Sequence, residues 1–155
     1  MTDWLLLLKI ALGAVLLFDV ALLLRRPAEG AVVTTLPANE ELRRKGLNMV
    51  LMPLVVAFIL GLDLLQGNSP LLALVLLALT MAYLALPRPL ALEPENLLLD
   101  GWRIPLARVL SVQPTEAGVA VSLERFGWLT EQQLPAGAVT DALQERLAQR
   151  PGREP

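Results

Sequence analysis

Hydrophobic positions in this chain follow two regimes. Up to residue 86 they form long, nearly unbroken runs, and after Pro87 they form short stretches separated by turn residues. The runs cover residues 4–24, interrupted only by Lys9 and Asp19, then 47–65 and 70–86. A hydrocarbon core about 30 Å thick takes roughly 17–25 apolar residues to cross at about 1.5 Å per residue, so the pattern predicts three transmembrane helices over these spans. Gln66-Gly67-Asn68-Ser69 is too short a break to hold a domain. It predicts a turn that sends the chain back into lipid, with Ser69 as N-cap and Pro70 at the first helical position.

The first run lacks the basic leader, short apolar core and small-residue cleavage site of a cleaved signal peptide, and an uncleaved signal anchor has the same topology. Orientation follows from the basic residues. Arg25, Arg26, Arg43, Arg44 and Lys45 all lie in the 25–46 loop, and none lies in the 66–69 turn. The positive-inside rule therefore makes the 25–46 loop cytoplasmic, the N-terminus external and everything after residue 86 cytoplasmic, in a multi-pass protein of a bacterial inner membrane. Within that loop, residues 31–36 are β-prone, and Asn39 with Glu40 and Glu41 marks a helix start expected to run into the bilayer, where Pro53 is placed to kink it. Arg43, Arg44 and Lys45 either contact anionic lipid or act only as topology determinants.

Ionisable groups inside a span are costly and usually need a partner. Lys9 and Asp63 lie about 6 Å and about 4.5 Å from the same membrane edge on antiparallel helices, which predicts an ion pair between them. Asp19 lies deeper, about 9 Å from the opposite edge and level with Thr80. With Tyr83 and Asn48 nearby it forms a candidate polar cluster, either structural or a proton site. Ala57 and Gly61 form a small-xxx-small pair, expected either to seat the second helix on the third or to dimerise two copies.

From residue 87 to 150 the pattern predicts a β-module. Strands are expected over 89–93, 97–99, 102–104, 107–113, 119–123 and 128–134, with a two-residue hairpin turn at Asp100-Gly101. A helix follows over 138–149, with Val139, Ala142, Leu143 and Leu147 on one face, and a disordered tail over 151–155. The run Glu95-Asn96-Leu97-Leu98-Leu99-Asp100-Gly101, then Arg103-Ile104-Pro105-Leu106-Ala107-Arg108-Val109, a turn at Gly118, Val119-Ala120-Val121-Ser122-Leu123 and a closing amphipathic helix resembles the bacterial pleckstrin-homology-like domains that follow transmembrane helices in small membrane proteins. That resemblance implies a partly open seven-stranded barrel closed by a helix and associated with itself or with a membrane partner. The module itself offers five or six strands, and residues 31–36 are the candidate for the missing edge strand.

Composition narrows the chemistry. The chain has no Cys and no His, which excludes thiol nucleophiles, Ser-His pairs, zinc sites built on either residue, and Cys-ligated clusters. Residues 1–86 carry six basic and six acidic side chains and residues 87–155 carry seven and nine, so neither half has the charge of a nucleic-acid binder. No phosphate-binding glycine motif is present, and no cofactor is expected. Eukaryotic pleckstrin-homology domains often bind phosphoinositides through a basic rim, whereas here Arg103, Arg108 and Arg125 are dispersed along a net acidic module. The sequence therefore points to a noncatalytic integral membrane accessory or scaffold protein that presents a protein-interaction module at the cytoplasmic face. The alternatives are a small homo-oligomeric ion or proton transporter using Asp19, and a membrane lipid sensor.

Overall fold

A computed structural model of the chain describes residues 3–44, 46 and 48–149. The order is α1 (Asp3–Leu23), β1 (Val32–Leu36), α2 (Ala38–Arg44), α3 (Leu51–Leu65), α4 (Leu71–Ala85), β2 (Arg88–Leu92), β3 (Asn96–Leu99), β4 (Trp102–Pro105), β5 (Val109–Thr115), β6 (Gly118–Arg125), β7 (Trp128–Leu134) and α5 (Ala138–Ala148). These form two compact units. One is helical, within Met1–Arg25 and Leu36–Arg88; the other is built on sheets, within Arg26–Thr35 and Pro89–Pro155.

In the helical unit α1 and α3 both pack on α4. Ala73, Leu76 and Thr80 lie one turn apart on α4 and are fully buried, and Leu76 forms the centre of the core with Leu16 and Val56. The closest approach is at Gly13, where a Cβ atom would stand 3.3 Å from the Leu76 side chain. Among the described helices only α1 is long and apolar enough to cross a membrane. The other two apolar helices are 15 residues each, shorter than the runs at 47–65 and 70–86 suggest. For α3 the reason is Pro53, which stands in the first turn, where an N–H has no intrahelical acceptor to lose; it marks the helix start and does not kink its middle. The helix expected to run on from Glu40 is also interrupted. It ends as α2, and Gly46 follows at φ 69°, a left-handed conformation that stops a helix.

Between α3 and α4 the turn is a Schellman cap. Gly67 takes φ 68°, its N–H donates to the Leu64 carbonyl at 3.3 Å, and the Asn68 N–H donates to the Asp63 carbonyl at 2.9 Å. Pro70 takes the N-cap position expected of Ser69, and α4 starts one residue later. At its other end, buried Arg88 donates to the Tyr83 carbonyl at 3.1 Å and lies 4.2 Å from the Tyr83 ring, a cation where the helix dipole favours one.

The sheet unit has a four-stranded sheet, β1-β2-β3-β4, and a three-stranded antiparallel sheet, β5-β6-β7, followed by α5. Residues 32–36 thus lie beside β2 at the sheet edge. Asp100 and Gly101 take φ 51° and 79°, the pair of positive values a two-residue hairpin turn needs. The strand expected from residue 107 begins at Val109, because residues 106–108 form a single 3-10 turn after Pro105. Leu90 pairs with Leu99, and Leu92 with Leu97, so these four share a face; with Val109, Val121, Leu123 and Leu143 they are buried to 2% exposure or less. On α5, Thr140 is buried too, its hydroxyl accepting the Gly137 N–H at 2.9 Å.

Gly118 is the tightest backbone position. It has φ 137°, and an added Cβ would lie 2.2 Å from the carbonyl oxygen of Leu134 on the neighbouring strand. Gly118→Ala should therefore destabilise the chain by about 2 kcal/mol, since the backbone of β6 or β7 must shift. Thermal unfolding checks this, and an unchanged midpoint would show that β7 yields without cost.

Candidate functional site

A buried charged pair lies in the helical unit. The ammonium of Lys9 on α1 donates to both carboxylate oxygens of Asp63 on α3, at 2.7 and 2.8 Å, with side-chain exposures of 6% and 0%. Lys9 also lines a mainly apolar cleft of about 500 Å³ together with Leu5, Leu72 and Asn68. The bidentate contact ties two helices that otherwise meet mainly through α4.

The cluster expected around Asp19 does not form. Asp19 is half-buried and, among the described residues, makes no hydrogen bond or ion pair. The Thr80 hydroxyl donates to the Leu76 carbonyl of its own helix at 2.8 Å, an acceptor always within reach of a helical threonine. Asn48 turns away, its side-chain oxygen accepting the Val50 N–H at 2.9 Å, and Tyr83 carries Arg88 on its ring. Equal depth put Asp19 and Thr80 level, but depth says nothing of rotation about the helix axis.

Ala57 and Gly61 do not seat α3 on α4 either. Ala57 is exposed, and an added Cβ on Gly61 would meet nothing within 4 Å. The face of α3 that packs holds Val56, Ile59 and Asp63. Of the basic cluster, Arg43 and Arg44 belong to the last turn of α2, and Lys45 lies outside the described residues, as does the tail over 151–155.

The sheet unit contains two groupings that spacing alone did not reveal. The first centres on Glu93, 2% exposed at the end of β2. Its carboxylate accepts two hydrogen bonds from Arg103 Nε, at 3.1 and 3.0 Å, and one from the Ala28 N–H at 3.0 Å. Arg103 also donates to the Arg26 carbonyl at 3.2 Å, and Arg146 on α5 donates to the carbonyls of Glu93 and Pro94 at 2.6 and 3.0 Å. Residues 26–28 and β4 therefore meet at the Glu93 carboxylate, and the final helix joins them through the backbone carbonyls of Glu93 and Pro94. An acid in a leucine-rich strand, with an arginine beyond the next hairpin, was the available signal.

The second grouping corrects the picture of scattered arginines. Arg103, Arg108 and Arg125 line one cavity of about 210 Å³ with Trp102, Glu124 and Phe126. The Arg125 guanidinium stands 4.9 Å from the Trp102 ring and 5.5 Å from that of Phe126, and the two rings meet edge to face at 5.8 Å. This contact joins β4 of one sheet to the β6–β7 turn of the other. Phe126 and Gly127 form that turn at φ 52° and 78°. The left-handed value is costly for an aromatic residue, and it leaves Phe126 at 70% exposure, beside Trp128 and Leu129 at 76% each. No protein-family model, no curated protein and no solved structure matches the chain.

Proposed function

We propose that the chain is a three-span protein of a bacterial inner membrane, with its N-terminus outside and its sheet unit in the cytoplasm. In this reading it is a noncatalytic accessory or scaffold subunit that holds a pleckstrin-homology-like interaction module at the membrane. The observation that carries the topology is the position of β1 beside β2. Strands that share a sheet share a side of the bilayer, so the chain between them crosses twice or not at all. Two crossings fit the apolar outer faces of α3 and α4, where Leu54, Phe58, Leu65, Leu71 and Leu74 are 47–86% exposed. Helices of 15 residues span about 22 Å. The bilayer closes the remaining shortfall by thinning locally. The basic 25–46 loop sets the side.

Support for the module comes from the number of strands, seven in a four-stranded and a three-stranded sheet, and from the single helix that follows them; the resemblance implies that strand number and a closing helix. Support for an accessory role comes from the charged groups themselves. Lys9 is engaged with Asp63, and separately Glu93 with Arg103, which suits holding each unit together better than turning over a substrate.

Affinity purification of the tagged chain from its native membrane in mild detergent, followed by mass spectrometry and native mass measurement, tests this reading. Unrelated subunits at fixed stoichiometry are the expected result. A clean homo-oligomer with no other protein would overturn the accessory role.

A further inference from the structure

The exposed end of the β6–β7 hairpin calls for an occupant. Phe126, Trp128 and Leu129 are consecutive but for Gly127, stand at the turn and the first two residues of β7, and are each 70–76% exposed. Beneath them Arg125 and Arg108 have no carboxylate partner among the described residues, whereas Arg103 is held by Glu93. Glu124 also lines the neighbouring cavity, leaving the rim basic by one charge once the Glu93–Arg103 pair is set aside. The cavity beside the turn is about 210 Å³, below the roughly 300–1,000 Å³ of a small-molecule pocket, and Trp128 and Leu129 lie outside its lining, so the turn is mainly an exposed apolar end. It matches the interfacial layer of a bilayer, where indole rings prefer to sit and arginines meet phosphate.

We propose that the Phe126–Leu129 turn is a membrane-docking wedge that inserts into an anionic phospholipid surface, with Arg108 and Arg125 on the headgroup phosphates. The strained placement of Phe126 has a use on this reading. Asn or Gly would fill a left-handed turn position at lower cost, but neither would carry apolar surface to the tip. The proposal rests on the membrane reading only in that α1 holds the chain at a bilayer, and carbonate-resistant incorporation tests that part separately.

The test uses the full chain, one copy per nanodisc, with Trp4→Phe and Trp102→Phe so that Trp128 is the sole tryptophan. Discs are made of phosphatidylcholine alone or of phosphatidylcholine with phosphatidylglycerol at 3:1, each with and without brominated acyl chains. Docking predicts a blue-shifted Trp128 emission, quenched by bromine, in the anionic discs. Arg108→Gln and Arg125→Gln should each lower the docked-to-undocked ratio about fivefold, the effect of about one charge near an anionic surface. Phe126→Asn should lower quenching while leaving the melting temperature unchanged or higher, because Asn accepts the left-handed conformation.

Emission at the position of water-exposed indole, unquenched in both compositions, would overturn the proposal. So would a shift that appears only with two copies per disc, which would make a second chain the occupant. Loss of stability in Phe126→Asn without loss of quenching would equally overturn it, by assigning Phe126 to packing against Trp102.

Discussion

Lys9→Leu lowers the stability of the detergent-solubilised chain by about 3–5 kcal/mol, and Asp63→Leu lowers it by less. Both changes break the same bidentate contact, whose oxygens lie 2.7 and 2.8 Å from the ammonium. Breaking a buried pair is expensive because the remaining group is left without its counter-charge, and that residual group differs in the two variants. Asp63 is fully buried on a short side chain and has no route to water once Lys9 is gone. Lys9 has a four-carbon stem and can swing its ammonium out to a polar surface when Asp63 is removed. The double variant Lys9→Leu/Asp63→Leu removes both charges and should recover most of the loss. A double-mutant cycle on SDS or thermal unfolding then yields a large coupling energy. Additive losses would mean that the two residues act independently of one another.

Arg103→Met has the second large effect, about 3 kcal/mol, and the asymmetry again follows burial. The side chain of Glu93 is 3% exposed and that of Arg103 is 44% exposed. Removing the arginine leaves a buried carboxylate with only the Ala28 N–H to satisfy it, which is the costly arrangement. Removing the acid instead, as in Glu93→Leu, leaves an arginine that can turn into solvent, so solvent screening limits that loss to about 1–2 kcal/mol. Amide hydrogen exchange locates the effect: protection should fall first at Ala28 and along β1, which the carboxylate and the Arg26 carbonyl hold to the sheet. Unchanged protection there would show that strand pairing alone retains the segment.

Depth arithmetic on the expected spans brought Lys9 and Asp63 together, because two charges expected near one edge of antiparallel apolar helices have few other places to go. The same arithmetic failed for Asp19. A threonine satisfies itself on its own helix, and level residues on different helices need not face each other. Alternation and Asp100-Gly101 fixed most of the strands, and a β-branched stretch far upstream was legible as an edge strand. The small-residue pair was misleading because Ala and Gly are also tolerated on an outward face; the residue that sets the close approach is Gly13. The Glu93 network and the arginine rim depend on how two sheets and a distant loop fold over one another. Linear spacing carries little of that. The break between the strands expected over 119–123 and 128–134 falls at the β6–β7 turn, but the left-handed place of Phe126 in it was not legible, because Phe is a poor residue for φ 52°.

The interleaving of the two units has a consequence for how such a chain is made and passed on. The ribosome delivers β1, then all of α2, α3 and α4, and only then β2, the strand beside which β1 lies. At about 5–20 residues per second that is a wait of several seconds with a valine- and threonine-rich edge unpaired. The helical unit is completed by α4 just before β2 emerges, so β1 can pair with β2 only after the helices have been delivered. Neither unit is a contiguous stretch of gene. Recombination that moved residues 89–155 to another protein would leave behind the edge strand and both backbone groups that engage the Glu93–Arg103 pair.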